Sequence, residues 1–165
     1  MRVSLGLIVG LFILSACQTR ATQAPNRAEG DMPQGLISAL SVLPASGLGP
    51  QNLASGECGL FLWSKTDTEK FIFFTKAQTG RAQMAQAKGA VSLLQTGGDG
   101  DIFGQFTTRM TYKASRQAQS ITLDLVPGEL LEGGQRLEKG LLTTTDAEGW
   151  RTKLPVLGVR ACQPN

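Results

Sequence analysis

Between Cys58 and Cys162 several runs carry apolar residues at every second position, and short clusters of Gly, Pro and Asp interrupt them. A two-residue period places alternate side chains on opposite faces of an extended chain, so such a stretch folds as half-buried strands rather than as helices. Phe106, Thr108, Met110 and Tyr112 share one face, and Thr107, Arg109, Thr111 and Lys113 the other. Ile121, Leu123 and Leu125 alternate in the same way with Thr122 and Asp124. Turns are expected at Thr79-Gly80, Lys88-Gly89, Pro127-Gly128, Gly133-Gly134 and Asp146–Gly149. Arg81–Lys88 has a helix-favouring composition, yet it sits between strand-like runs and is expected as a strand. Around Pro155 the parity slips: Trp150, Thr152 and Leu154 share one face, Leu157 and Val159 the other. A bulge at the proline would repair this, because proline donates no ladder bond. The expectation is an all-β domain over 51–165, with about eight short antiparallel strands closed as a small barrel or stacked as a sandwich.

The chain upstream is different. Residues 18–34 carry almost no large apolar side chain. Such a segment buries too little surface to offset the entropy of ordering, so 17–50 is expected as a tether. It is broken by one apolar run, Leu36–Leu43, which Pro44 ends. Apolar residues at 36, 37, 40 and 43 fit one helical face, and eight residues also fit a strand.

Met1 and Arg2 precede a 12-residue apolar run, Val3–Leu14, and then Ser15-Ala16-Cys17. Charge, short apolar core and small residues make the three-part plan of a signal peptide over 1–16. The run is too short for a spanning helix, which needs about 20 apolar residues. Leu14-Ser15-Ala16-Cys17 resembles the lipobox of bacterial lipoproteins. The resemblance implies cleavage before Cys17, a thioether-linked diacylglycerol on its sulfur and an acylated amino group. Several acyl chains are needed, since one gives only marginal membrane binding. Gln18 stands where enteric-type lipoproteins carry Asp for inner-membrane retention. By that resemblance the protein is anchored in the outer membrane facing the periplasm, with the outer leaflet of the inner membrane as the alternative. The stretch Gly56–Trp63, GECGLFLW, resembles uncharacterised proteobacterial lipoproteins, and no function comes with that likeness.

Cys17 aside, Cys58 and Cys162 remain, at the start of the first strand and the end of the last. A compartment outside the inner membrane permits a disulfide between them, which would bring the first and last strands together. The competing reading is a redox or metal pair, for which there is neither a Cys-x-x-Cys nor a histidine.

Histidine is absent from the whole chain, which removes the commonest general base and every Ser-His or Cys-His triad. Neither Ser-x-x-Lys nor Gly-x-Ser-x-Gly occurs. Gly98-Asp99-Gly100 runs on to Gly104 and misses the spacing of a dinucleotide fingerprint. Asp99 and Asp101, expected in a turn, offer two carboxylates to acid–base work or to calcium, which needs six or more oxygens. The net charge of +3 falls to +2 once Arg2 leaves with the leader. That is too weak to steer a polyanion, and no dense Lys/Arg run marks a nucleic-acid partner. No cofactor is implied.

One hairpin stands apart. Gly59–Trp63 and Phe71–Phe74 are apolar on both faces, so one face belongs to the core. The other carries some of Phe61, Trp63, Phe71 and Phe73 and must be covered or exposed. Leu36–Leu43 folding back is one cover, and an envelope protein or apolar ligand docking on the aromatics is the other. Three functions follow in order of preference: a non-enzymatic, lipid-anchored binding or structural module of the envelope, a small barrel carrying an apolar ligand as lipocalin-like lipoproteins do, and a carboxylate-based hydrolase. In outline the chain is also similar to small-barrel periplasmic lysozyme inhibitors, whose loop carries Ser-Gly-x-x-Tyr. The single tyrosine, Tyr112, follows Thr108-Arg109-Met110-Thr111, so inhibition of lysozyme is not supported.

Overall fold

The computed structural model describes residues 44, 46–115 and 118–165. The expected leader, the expected lipidation site Cys17, the expected tether up to residue 43 and the Leu36–Leu43 run lie outside the described residues. The remainder is all-β. Eight antiparallel strands follow one another as β1 (Cys58–Ser64), β2 (Phe71–Lys76), β3 (Arg81–Gln86), β4 (Gly89–Phe103), β5 (Phe106–Ala114), β6 (Ser120–Leu131), β7 (Gly134–Thr145) and β8 (Arg151–Cys162). Each pairs with its neighbour in sequence, and β8 returns to β1 to close an up-and-down barrel. Arg81–Gln86 is a strand despite its helix-favouring residues, because both of its edges are paired.

An eight-stranded barrel is just wide enough for its own side chains to fill. Here Leu60, Leu62, Phe73, Met110, Tyr112, Ile121, Leu123, Leu142 and Val156 are fully buried and meet across the interior. Phe73 and Tyr112 pack edge to face at 5.3 Å between ring centroids. The alternation in β5 and β6 holds as read, with Met110, Tyr112, Ile121, Leu123 and Leu125 inward.

Four local expectations need correction. Phe73 belongs to the interior, not to a partner surface. The ladder between β1 and β2 shifts at Leu62/Trp63, so that Trp63 pairs with Phe71 and Leu62 with Phe73, leaving Ile72 as the extra residue. The bulge thereby puts Phe71 outside and Phe73 inside, whereas a strict alternation gives both one face. At Pro155 there is no bulge in β8: Leu154, Val156 and Gly158 are buried in unbroken alternation. The shift lies instead in β7 between Leu137 and Gly140, and Leu157 and Val159 face outward. Pro127-Gly128 is not a turn but an irregular stretch within β6. Pairing of β6 with β5 ends at Arg109–Asp124, so β6 has no β5 partner around Pro127, a place where a proline is tolerated. Asp99 and Asp101 likewise lie within β4, not in a turn, since β4 and β5 remain paired down to Phe103–Phe106.

That last pairing shapes one end of the barrel. The β4–β5 hairpin bends at shifts after Gln95 and after Asp99 and parts from β6. Its aromatic pair, Phe103 and Phe106, is buried, and Gly104 at the tip lies against the Arg160 guanidinium of β8. Gly104 has φ +63°, a conformation strained for other residues, and a Cβ there would stand 2.6 Å from Arg160 Nη1 and displace the guanidinium. The hairpin thus closes the barrel end at which Cys58 and Cys162 face each other across the β1–β8 seam, their sulfurs 2.04 Å apart in a disulfide.

Candidate functional site

The outer wall over β1, β2 and β8 is apolar because strands whose inward residues already fill the barrel also carry aromatics on the outward parity. Phe61 and Phe74 are 4.9 Å apart between ring centroids, Phe61 and Phe71 5.9 Å, and Trp63 and Phe71 5.1 Å. On β8, Val159 stands opposite Phe61 and Leu157 opposite Trp63, which carries the patch across the seam.

A strap of chain covers the β2 side of this patch. Pro44 is buried, and the Leu48 amide donates to the Phe71 carbonyl at 2.7 Å. Gly47 is pinched against the Phe71 backbone, where a Cβ would stand 2.8 Å from the carbonyl oxygen. Leu53 reaches Gly59 beside Phe74, which is only 5% exposed. The strap is pinned at its lower end. Ala54 N–H donates to the Glu57 carboxylate at 2.7 Å, and Lys76 Nζ meets the same oxygen at 2.6 Å. The Ala54 amide, followed by Lys76, holds the Glu57 carboxyl below its ordinary range. Gly56 N–H donates to Gln163 C=O and Gln163 N–H to Glu57 C=O, tying the strap to the tail of β8.

The β8 side is uncovered by the strap. There Trp63, Leu157, Val159 and the hairpin residue Leu131 line an open groove of about 460 Å³, bordered by Lys65, Arg136 and Glu138. Lys65 Nζ donates to the Glu138 backbone carbonyl at 3.3 Å. Three of the four aromatics proposed from sequence, Phe61, Trp63 and Phe71, therefore share this wall. Phe74, Leu131, Leu157 and Val159 join them. The parity slip at Pro155 was the available signal for Leu157 and Val159. Leu131 had none, since its place depends on how far the β6–β7 hairpin extends.

Elsewhere buried polar side-chain atoms are paired, the exception among the described residues being Arg160 Nε, which has no partner. Asp124 accepts from Arg109 Nε at 2.6 Å, and Asp99 lies 4.0 Å from the same nitrogen. Asp124 holds the Arg109 guanidinium firmly protonated. Asp101 N–H donates to Thr108 Oγ1. Among the described residues no three Asp, Glu or Cys side chains gather as a metal site. Burial pushes the Tyr112 hydroxyl up to about 12, against a smaller lowering contact with Thr75.

No family model, curated protein or solved structure matches this chain.

Proposed function

We propose that this chain is a membrane-anchored lipoprotein, held through lipid on Cys17, that serves as a non-enzymatic binding or structural module of the bacterial envelope. One observation supports the binding part above others: the barrel is filled by its own side chains, while a half-open aromatic groove lies on its outer wall beside Trp63. Residues that do not stabilise the interior and yet gather Trp63, Leu157 and Val159 with Leu131 make a contact surface, since clustered aromatic and aliphatic side chains are the usual anchors of interfaces. The anchoring part is supported by Leu14-Ser15-Ala16-Cys17, and outer-membrane sorting by Gln18. A lipocalin-like carrier would hold its ligand inside; Phe73, Met110 and Tyr112 occupy that space here.

Two experiments test the reading. Cell fractionation of Cys17→Ala should show release from membranes or an uncut leader, and a variant that is still cleaved and still pellets with membranes refutes the anchor. Pull-down from detergent-solubilised membranes, read by mass spectrometry for proteins and small molecules, should recover a companion that is lost with Leu131→Asp. A companion retained equally by that variant removes the groove from the interface.

A further inference from the structure

We propose that the seam groove binds a single-chain amphiphile with an anionic head group, in chemical class a fatty-acid carboxylate. The proposal rests on the outer-wall reading above and gives that wall a ligand.

The floor is apolar. Trp63 and Leu157, a cross-strand pair, form its centre with Val159 beside them, and Leu131, 39% exposed, lies at the hairpin end. Its lining covers Trp63 and Lys65 on β1, residues 157–159 on β8 and 136–138 on β7, about 7 Å along each strand at ~3.3 Å per residue, and Leu131 extends it at the hairpin. That is one apolar cleft of about 460 Å³, which we assign to a single alkyl chain.

The borders are cationic. Arg136 stands opposite Val159 on β7, and Lys65 follows Trp63 and Ser64 on β1. Neither cation is in an ion pair among the described residues. Glu138 is the one carboxylate of the lining, set against these two cations. An anionic head is therefore attracted to the borders and a cationic one is not.

The same features select against other occupants. A peptide strand adds to a sheet along an open edge, and here β8 is already laddered to β1 on one side and, apart from the shift between Leu137 and Gly140, to β7 on the other. The upstream run Leu36–Leu43 has no acidic residue to meet Arg136 or Lys65.

The test uses the chain from residue 17 onward with Cys17→Ser, so that no lipid is attached. Trp150→Phe leaves Trp63 as the sole indole. Laurate below its micelle concentration should give a saturable shift in Trp63 emission. Decanoate, two methylenes shorter, should bind about tenfold more weakly if the chain is buried. Dodecyltrimethylammonium, with the same chain length and opposite charge, should bind at least tenfold more weakly than laurate. The double variant Lys65→Glu, Arg136→Glu should lose that preference while keeping the melting temperature, which separates ligand loss from unfolding. Equal binding of the cationic and anionic amphiphiles overturns the proposal. So does a Trp63 that ignores laurate and is freely quenched by iodide. A Trp63 shielded from iodide until Leu40→Asp is introduced also overturns it, because the chain's own segment then fills the groove. Should laurate fail while a protein companion is still captured through Leu131, the amphiphile is refuted and the binding module is not.

Discussion

Tyr112 shows how much a single position is asked to do in a barrel this small. Its ring fills the interior against Phe73, and its hydroxyl donates toward Met110 Sδ at 3.4 Å, a weak acceptor. The fold therefore favours the neutral phenol. Its pKa rises from an ordinary 10.0 to about 12, so the unfolded chain loses this proton first and stability should fall as pH climbs from roughly 10 towards 12. Because the chain has one tyrosine, absorbance at 295 nm reads this residue alone, and a midpoint at its ordinary value would show an open interior. Glu57 runs the other way. Its folded pKa is lowered, so its stabilising contribution is present above the unfolded carboxylate's pKa and is lost as pH falls through the folded value. Melting temperatures of wild type and Glu57→Gln should differ at neutral pH and converge in acid; a constant gap across the titration removes the Ala54–Glu57–Lys76 cluster as the cause. Leu123, fully buried, sets the scale for packing: Leu123→Ala should cost about 2 to 5 kcal/mol in denaturant unfolding.

At the level of strands and hairpins, alternation carries most of the information, and it fails where the ladder shifts. β5 and β6 can be read directly because one face of each is buried and the other is wet. β1 and β2 cannot, because both of their faces are apolar, one packed in the core and the other carrying aromatics under the strap or beside the open groove. With apolar residues on both parities, only the bulge opposite Leu62/Trp63 decides that Phe71 faces out and Phe73 in, and a bulge leaves no mark in composition. Glycine and proline mislead for a related reason. Gly97, Gly98 and Pro127 look like turn residues, but they sit where long strands bend away from the wall. Gly104, the real tip, is needed for its positive φ and for the room it gives Arg160. Gly104→Ala should therefore destabilise by at least about 1 kcal/mol through backbone strain alone. Hydrogen exchange at Phe103–Phe106 should rise with it, and unchanged protection there would mean that the hairpin does not close the barrel end.

For the molecule as a whole, closure depends on the one pairing that joins the two ends of the sheet. Cys58 and Cys162, separated by 104 residues, lie on that seam. A cross-link over a loop of this length stabilises by about 4 to 5 kcal/mol in the chain-entropy model. Cys58→Ser should lower the midpoint of unfolding by a corresponding amount under oxidising conditions, and equal midpoints with and without reductant would exclude the bridge. The all-β class and the strand count were legible because eight strand-like runs stand in the sequence, whereas the choice of barrel over sandwich is decided only by the pairing of β8 with β1. The groove was legible only in part, since it is assembled from β1, β8 and the far end of a hairpin, and proximity between distant segments is fixed by closure rather than by any local pattern.

The meander order also sets a sequence of events in time. Seven of the eight pairings join strands adjacent in the chain and can form as hairpins, each closing a short loop. The eighth, β1 with β8, waits until β8 has been made. Until it forms, two apolar strands stand as open edges, each able to recruit another copy of the chain. Closing the seam is thus the step at which a nascent molecule leaves the population that can aggregate, and an oxidant that joins Cys58 to Cys162 acts as the ratchet on that step.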